Sequence, residues 1–215
     1  SQLNVAKERH FPTTSRQGGV LLRDMLKRNI DNPHNEIMDE MLSLFKEYNI
    51  TIHIGSTFRP SGISEANDKA HIWELDRQLE MYQKFDEYGV QAIVEPFSHH
   101  PADDIGPGIQ RLRKSYGDYI PFQLLGPITT EINFNCDQYA TIGGATIAAM
   151  YNVGKITTIP PREHVGFPTL EDTKEGIKAT LTAVHSGDLT RLPHLAKQDA
   201  EVTLRRHYKN SCNPD

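Results

Sequence analysis

Four times along the chain a short run of β-branched and apolar residues gives way to a polar loop and then to a longer stretch with helical spacing. No other feature constrains the fold as tightly. The runs occupy residues 50–55, 90–94, 121–125 and 155–159, and each reads as a strand followed by the helix of a βα unit. Starts roughly 30 to 40 residues apart have the spacing of βαβ crossovers in a parallel sheet. The expected fold class is α/β, with parallel βα units forming part of a (β/α)8 barrel. A small doubly wound sheet is the alternative that spacing leaves open. At 215 residues the chain falls short of the ~250 of a complete barrel, in keeping with four units rather than eight.

The first crossover helix is expected to open near Ser64, a candidate N-cap, and to carry Ile72, Leu75, Leu79, Tyr82 and Phe85 on one side. The second is expected over 105–116, weakened by Gly106, Pro107 and Gly108. The third, over 137–150, has small residues suited to close packing on a sheet, and the fourth runs over 169–185. Upstream, 36–48 reads as an amphipathic helix with Ile37, Met41, Leu44 and Phe45 inward, and downstream 192–208 reads as an exposed peripheral helix. The expected organisation is a phosphate-loop segment at 1–30, the four βα units at 31–186, and a peripheral helix and tail at 187–215.

Charge and composition exclude several roles. Lys and Arg number 23 against 28 Asp and Glu, a formal charge of −5, which favours neither a nucleic-acid backbone nor an anionic membrane as partner. No run approaches the ~18 apolar residues of a spanning helix, and no export signal opens the sequence. Two cysteines, Cys136 and Cys212, are too few for a disulfide framework or a Cys-X-X-Cys metal knuckle. A cytoplasmic location is the expectation.

In parallel α/β architectures the reactive groups gather in loops at the C-terminal ends of strands. Arg59 follows the first run, Glu95 and His99 the second, Thr129 and Thr130 the third, and Glu163 and His164 the fourth. Upstream, Ser15-Arg16-Gln17-Gly18-Gly19 precedes a helix expected over 20–28, where backbone N–H groups and the helix start would attract a phosphate. Its ordinary alternative is a glycine turn. Arg59, before Pro60, can clamp an anion bidentately or join a surface ion pair. Glu95 is a candidate general base or anchor for a substrate hydroxyl or amine, or else an ion pair at the sheet's rim. His99 and His164 lie 65 residues apart, so only the fold can unite them. Two neutral imidazoles with open coordination positions suit a catalytic metal, the alternative being two hydrogen-bonded loop histidines. His100 is set aside, since an extended loop points it elsewhere.

Several of these motifs are long and ordered: Ser15-Arg16 with Gly18-Gly19, Arg59-Pro60 followed by Ala66-Asn67-Asp68, and Glu95 with His99 and Pro101. They continue in Leu125-Gly126-Pro127-Ile128-Thr129-Thr130-Glu131-Ile132 and Pro161-Arg162-Glu163-His164-Val165-Gly166-Phe167-Pro168. Over about residues 12–185 the chain thereby resembles the phosphomethylpyrimidine synthase (thiamine pyrimidine synthase) family of the radical S-adenosylmethionine superfamily. The resemblance implies a (β/α)8 barrel and a divalent metal, zinc or iron, held by His99 and His164. It also implies substrate contacts from Ser15, Arg16, Gly18, Arg59 and Glu95, with Glu95 as the catalytic candidate. Gln123 stands where the family has a substrate-contacting tyrosine. The implied substrate is the ribonucleotide 5-aminoimidazole ribotide. The resemblance further implies S-adenosylmethionine and a 4Fe-4S cluster as the source of the radical that rearranges it to a hydroxymethylpyrimidine phosphate in thiamine biosynthesis.

The chain departs from the family pattern around the pocket. Ser56-Thr57 replaces an Asp-Gly, Gln17 is an insertion, Glu95-Pro96-Phe97-Ser98-His99 replaces Glu-Gly-Pro-Gly-His, and no Cys-X2-Cys-X4-Cys motif occurs. Two rival readings are therefore a 5-hydroxybenzimidazole synthase-like paralogue and a non-catalytic ribotide-binding or scaffold protein. As an enzyme the chain would be lyase-like once completed by a further half-barrel and an iron–sulfur segment. A homo-oligomer or a complementary chain is the expected partner, with neither nucleic acid nor membrane.

Overall fold

The structure is a computed structural model that describes residues 5–132 and 134–213. Strands β1 (Ile52–Ile54) and β2 (Ala92–Val94) pair in parallel with Ile52 opposite Ala92, and β3 (Gln123–Leu125) and β4 (Lys155–Thr157) pair in parallel with Gln123 opposite Lys155. A parallel bridge between Val94 and Phe122 joins the two pairs, and the Val94 N–H donates to the Pro121 carbonyl at 3.0 Å. The order is thus β1-β2-β3-β4, the order of the sequence. Pairing continues past the strand ends, where the Ile128 N–H donates to the Ser98 carbonyl at 3.0 Å and the His100 N–H to Ile128 at 2.9 Å. This is the arrangement of parallel βα units in part of a barrel, as expected.

Alternation along the strands separates two faces. Ile52, Ile54, Ala92, Val94, Leu124 and Ile156 enter one apolar core with Leu75, Leu79, Tyr82 and Phe85 of helix α4 (Lys69–Tyr88) and Ile105, Ile109 and Leu112 of α5 (Ala102–Tyr116). The intervening residues His53, Ile93, Gln123, Leu125, Lys155 and Thr157 fall on the other face, four of them polar.

Several helix boundaries differ from expectation for identifiable reasons. Helix α1 (Arg16–Arg28) starts before its glycines, because Ser15 caps it by accepting the Gly18 N–H at 3.0 Å. A Cβ on Gly18 would overlap Thr57 Oγ1, so glycine here permits close packing on the β1 loop. The expected helix at 36–48 is split into α2 (Pro33–Glu36) and α3 (Met38–Glu47), and Leu42 is its buried residue. Ile37 and Leu44 are exposed. Ser64 sits in a 3-10 turn (Ile63–Glu65), and α4 opens only after Asn67 turns the chain at φ 62°, with Asp68 as its cap. Ile72 is exposed rather than inward, whereas the other four apolar positions are buried. Helix α5 accommodates its glycines because Gly106 and Gly108 lie against the rings of Tyr151 and Phe97.

Helix α6 (Asp137–Met150) has the expected bounds. Helix α7 (Leu170–Asp188) opens on a capping box between Thr169 and Asp172, and α8 (Pro193–Lys209) buries no residue. Among the described residues no helix is long and apolar enough to cross a membrane.

Candidate functional site

Glu95 leaves the end of β2 with only 4% of its surface exposed. A buried carboxylate needs compensating charge and donors, and three neighbouring residues provide them. Arg59 Nη1 lies 3.3 Å from Oε1, His53 Nε2 lies 3.3 Å from Oε2, and Ser56 Oγ reaches Oε1 at 3.4 Å while donating to the Glu95 backbone carbonyl at 2.6 Å. The structure therefore unites the sequence candidates Arg59 and Glu95 and adds His53 of β1, which the sequence reading passed over.

A cleft of about 960 Å³ opens between this cluster and α1. Arg16, Arg23, Arg59 and His53 line it, with Ser15 and Gly18 at the helix start. Arg16 and Arg23 are exposed, seven residues apart on one helical face, and make no ion pair or side-chain hydrogen bond among the described residues. The unpaired cations of the cleft thus stand on the α1 face, beside Asp24, rather than in a glycine loop. The Gly18 N–H is already bonded to Ser15 Oγ, and the Gly19 N–H to the Ser15 carbonyl at 3.0 Å, so those glycines do not cradle an anion as expected. Arg23 was legible only as the i+7 companion of Arg16.

His99 and His164 come together, their ring centroids 5.1 Å apart in an edge-to-face arrangement. His99 is buried and His164 is exposed. His99 Nδ1 lies 2.9 Å from Glu131 Oε1, and His164 Nδ1 lies 2.7 Å from Asp137 Oδ1. Each carboxylate fixes the proton on Nδ1 and leaves the Nε2 lone pair available, the pattern of metal-bound histidines. Burial lowers the pKa of His99, against the pull of Glu131, which keeps its imidazole neutral as ligation requires. Asp137 Oδ2 is buried without a partner. Among the described residues no set of three His, Cys, Asp or Glu converges as a metal site, so the pair can offer two protein ligands and open positions.

The remaining candidates take other places. Gln123 donates from Nε2 to Thr157 Oγ1 at 3.0 Å and leaves its Oε1 buried and unpartnered. Thr129 Oγ1 bonds the Ala140 carbonyl at 2.9 Å, and Glu163 is exposed. His100 is fully buried, stacks on Phe97 at 4.2 Å and bonds Asp104 at 2.9 Å, so it stands apart from the pair.

Behind the site, helix α4 contributes polar residues that the sequence reading assigned to no role. Burial pushes Glu74 up to about 7, opposed by hydrogen bonds from the Thr57 and Phe58 amides and by Arg9 and Arg59. Burial lowers His71 to about 4, opposed by its bond to the Pro96 carbonyl.

Comparison with known proteins adds an independent line. The family model described as the radical SAM ThiC family matches residues 1–212. A phosphomethylpyrimidine synthase of Archaeoglobus fulgidus is 36% identical over 202 residues, covering 93% of this chain and 47% of that protein. Enzymes of the same name from Methanopyrus kandleri and Saccharolobus islandicus are 35% and 32% identical, over 92% and 94% of this chain and 46% and 47% of their own lengths. The chain spans about half the length of the curated relatives it matches.

Proposed function

The chain belongs to the radical SAM ThiC family, and from that premise we propose that it supplies the substrate- and metal-binding arc of a phosphomethylpyrimidine synthase. The observation that carries this reading is the convergence of His99 and His164, each oriented by a carboxylate on Nδ1. The two Nε2 atoms would hold a divalent zinc or iron ion. Arg16 and Arg23 would receive the phosphate of 5-aminoimidazole ribotide, with the Ser15 hydroxyl beside them. Glu95, its charge balanced by Arg59 and with His53 beside it, would hold a substrate hydroxyl or amine and accept its proton.

Family membership implies S-adenosylmethionine and a 4Fe-4S cluster as the source of the radical. The residues present do not suit the cluster: the two cysteines are a half-buried Cys136 and an exposed Cys212, with no third thiolate. The same reading has the arc completed by a complementary half-barrel, carried on a longer chain or a partner.

Two titrations test this reading. Zinc should bind with one equivalent lost in His99→Ala and in His164→Ala but retained in His185→Ala, a remote exposed histidine paired with Asp199. With the completed barrel, Arg16→Ala should weaken the ribotide roughly 10- to 150-fold, the worth of charge-assisted hydrogen bonds at about 1.5–3 kcal/mol, and leave the nucleoside unaffected. Equal weakening of ribotide and nucleoside, or zinc retained without both histidines, would overturn the assignment.

A further inference from the structure

Helix α4 carries three polar side chains on the face that it buries. His71, Glu74 and Gln78 follow one another at spacings of three and four, the stagger of a single helical stripe, and are 1%, 9% and 3% exposed. Polar groups buried in this way are costly unless paired, and nearly all their partners are loop backbone at the C-terminal ends of β1 and β2. Glu74 Oε1 accepts the Thr57 N–H at 2.6 Å and Oε2 accepts the Phe58 N–H at 2.7 Å. Gln78 Nε2 donates among the carbonyls of Ile54 at 3.2 Å, Gly55 at 3.0 Å and Glu95 at 3.2 Å, and reaches Ser56 Oγ at 3.2 Å. His71 Nδ1 accepts the Asn67 N–H at 3.0 Å, so its proton is on Nε2, which donates to the Pro96 carbonyl at 2.8 Å.

The segments held are those that carry the site. Thr57 and Phe58 lead directly into Arg59, and Thr57 is also the surface on which Gly18 of α1 rests. Pro96 lies between Glu95 and His99. We propose that His71, Glu74 and Gln78 are the positioning residues of the site: Glu74 sets the Arg59 loop, His71 sets the loop from Glu95 to His99, and Gln78 fixes the two loops to each other.

The side-chain chemistry is specific to these tasks. Two consecutive amides pointing at one place need a carboxylate, since an amide in its stead would turn an N–H toward one of them. A neutral imidazole offers one acceptor and one donor on opposite sides of the ring, and glutamine can imitate that.

The proposal rests on the reading of the cleft between α1 and the Arg59 loop as an anion site and of His99 as a metal ligand, and its test separates the two. Zinc and inorganic phosphate are titrated into the unsubstituted protein and into Glu74→Gln, His71→Leu and His71→Gln, with amide exchange followed on the same samples. Glu74→Gln is expected to weaken phosphate about tenfold or more and to change zinc affinity by less than about threefold. His71→Leu should do the reverse, weakening zinc roughly 10- to 100-fold, and His71→Gln should recover most of that loss.

Equal loss of both ligands in each variant, or a leucine variant that binds like the unsubstituted protein, would reduce the stripe to a matter of stability and overturn the proposal. If the unsubstituted protein binds neither probe, the functional reading falls. The stripe is then judged by exchange alone: acceleration confined to Thr57 and Phe58 in Glu74→Gln supports it, and acceleration throughout the chain refutes it.

Discussion

The loops after β1 and β2 are held by a different physics from the loops after β3 and β4. In the first pair, buried side chains of α4 reach up and bond the loop backbones, so that Glu95 and His99 stand on braced segments. In the second pair, backbone approach does the work. A Cβ on Gly144 would overlap the Pro127 carbonyl, and one on Gly176 would come within 2.7 Å of Pro160 Cα. Those loops also carry the exposed apolar residues Ile132, Phe134, Val165 and Phe167, the last of them 95% exposed. His164 thus depends on its bond to Asp137, whereas His99 sits on a segment that the stripe fixes from below. One half of the site is braced by buried polar side chains, and the other leaves apolar side chains exposed.

If that contrast is right, the largest effect should follow from removing the brace altogether. Glu74→Leu takes the acceptors from two amides at once and should destabilise the chain by roughly 2–5 kcal/mol in urea titration. A loss below about 0.5 kcal/mol would mean that the loops keep their shape without it.

The next effect appears in the dependence of stability on pH. His71 falls from 6.5 to about 4 on folding, so the unfolded chain binds its proton in that window and stability drops as pH falls through it. Glu74 rises from 4.5 to about 7, so the folded chain binds that proton and stability drops as pH rises through its window. Each contributes of the order of 3 kcal/mol with opposite sign, and together they nearly cancel. Glu74→Gln should therefore unmask a fall in stability toward pH 4, and His71→Gln a fall toward pH 7. Parallel profiles in the two variants would break the picture.

The smaller effects belong to the other half. Gly144→Ala should cost about 1–3 kcal/mol through overpacking on Pro127. Its neighbour Gly143, whose Cβ would meet nothing within 4 Å, should gain about 0.5–1 kcal/mol on the same substitution from helix propensity. Thermal unfolding of the pair measures both, and equal shifts would show that close approach does not hold α6 against the β3 loop.

What the sequence disclosed followed from periodicity, and what it concealed followed from polarity. The four runs located β1 to β4, and the small residues at 137–150 located α6 with its bounds, because alternation and helical spacing are local properties. Arg59, Glu95, His99 and His164 were legible from their place after strands. His71, Glu74 and Gln78 were not, since a polar residue within a helical pattern reads as a solvent-facing one, and only the packed fold shows that their partners are loop amides and carbonyls. Glu131 and Asp137 were hidden for a related reason: a carboxylate that orients an imidazole has no spacing rule when the pair is 32 or 27 residues apart. The early start of α1 and the late start of α4 turned on single caps, Ser15 and Asp68, each competing with other polar residues nearby.

The strands lie side by side in the order in which they occur in the chain, and this has a consequence for how the molecule is assembled. Each new ladder closes on the unit that came just before it, so folding can proceed from one unit to the next without waiting for a distant segment. Glu74 and Gln78 find their β1-loop partners within the first unit, and His71 closes on Pro96 as soon as the second strand is in place. His99 is therefore set early. Its companion belongs to the loop after β4, two units later, so the histidine pair forms after the brace, and a chain stopped between residues 100 and 163 would hold a finished brace around half of a site.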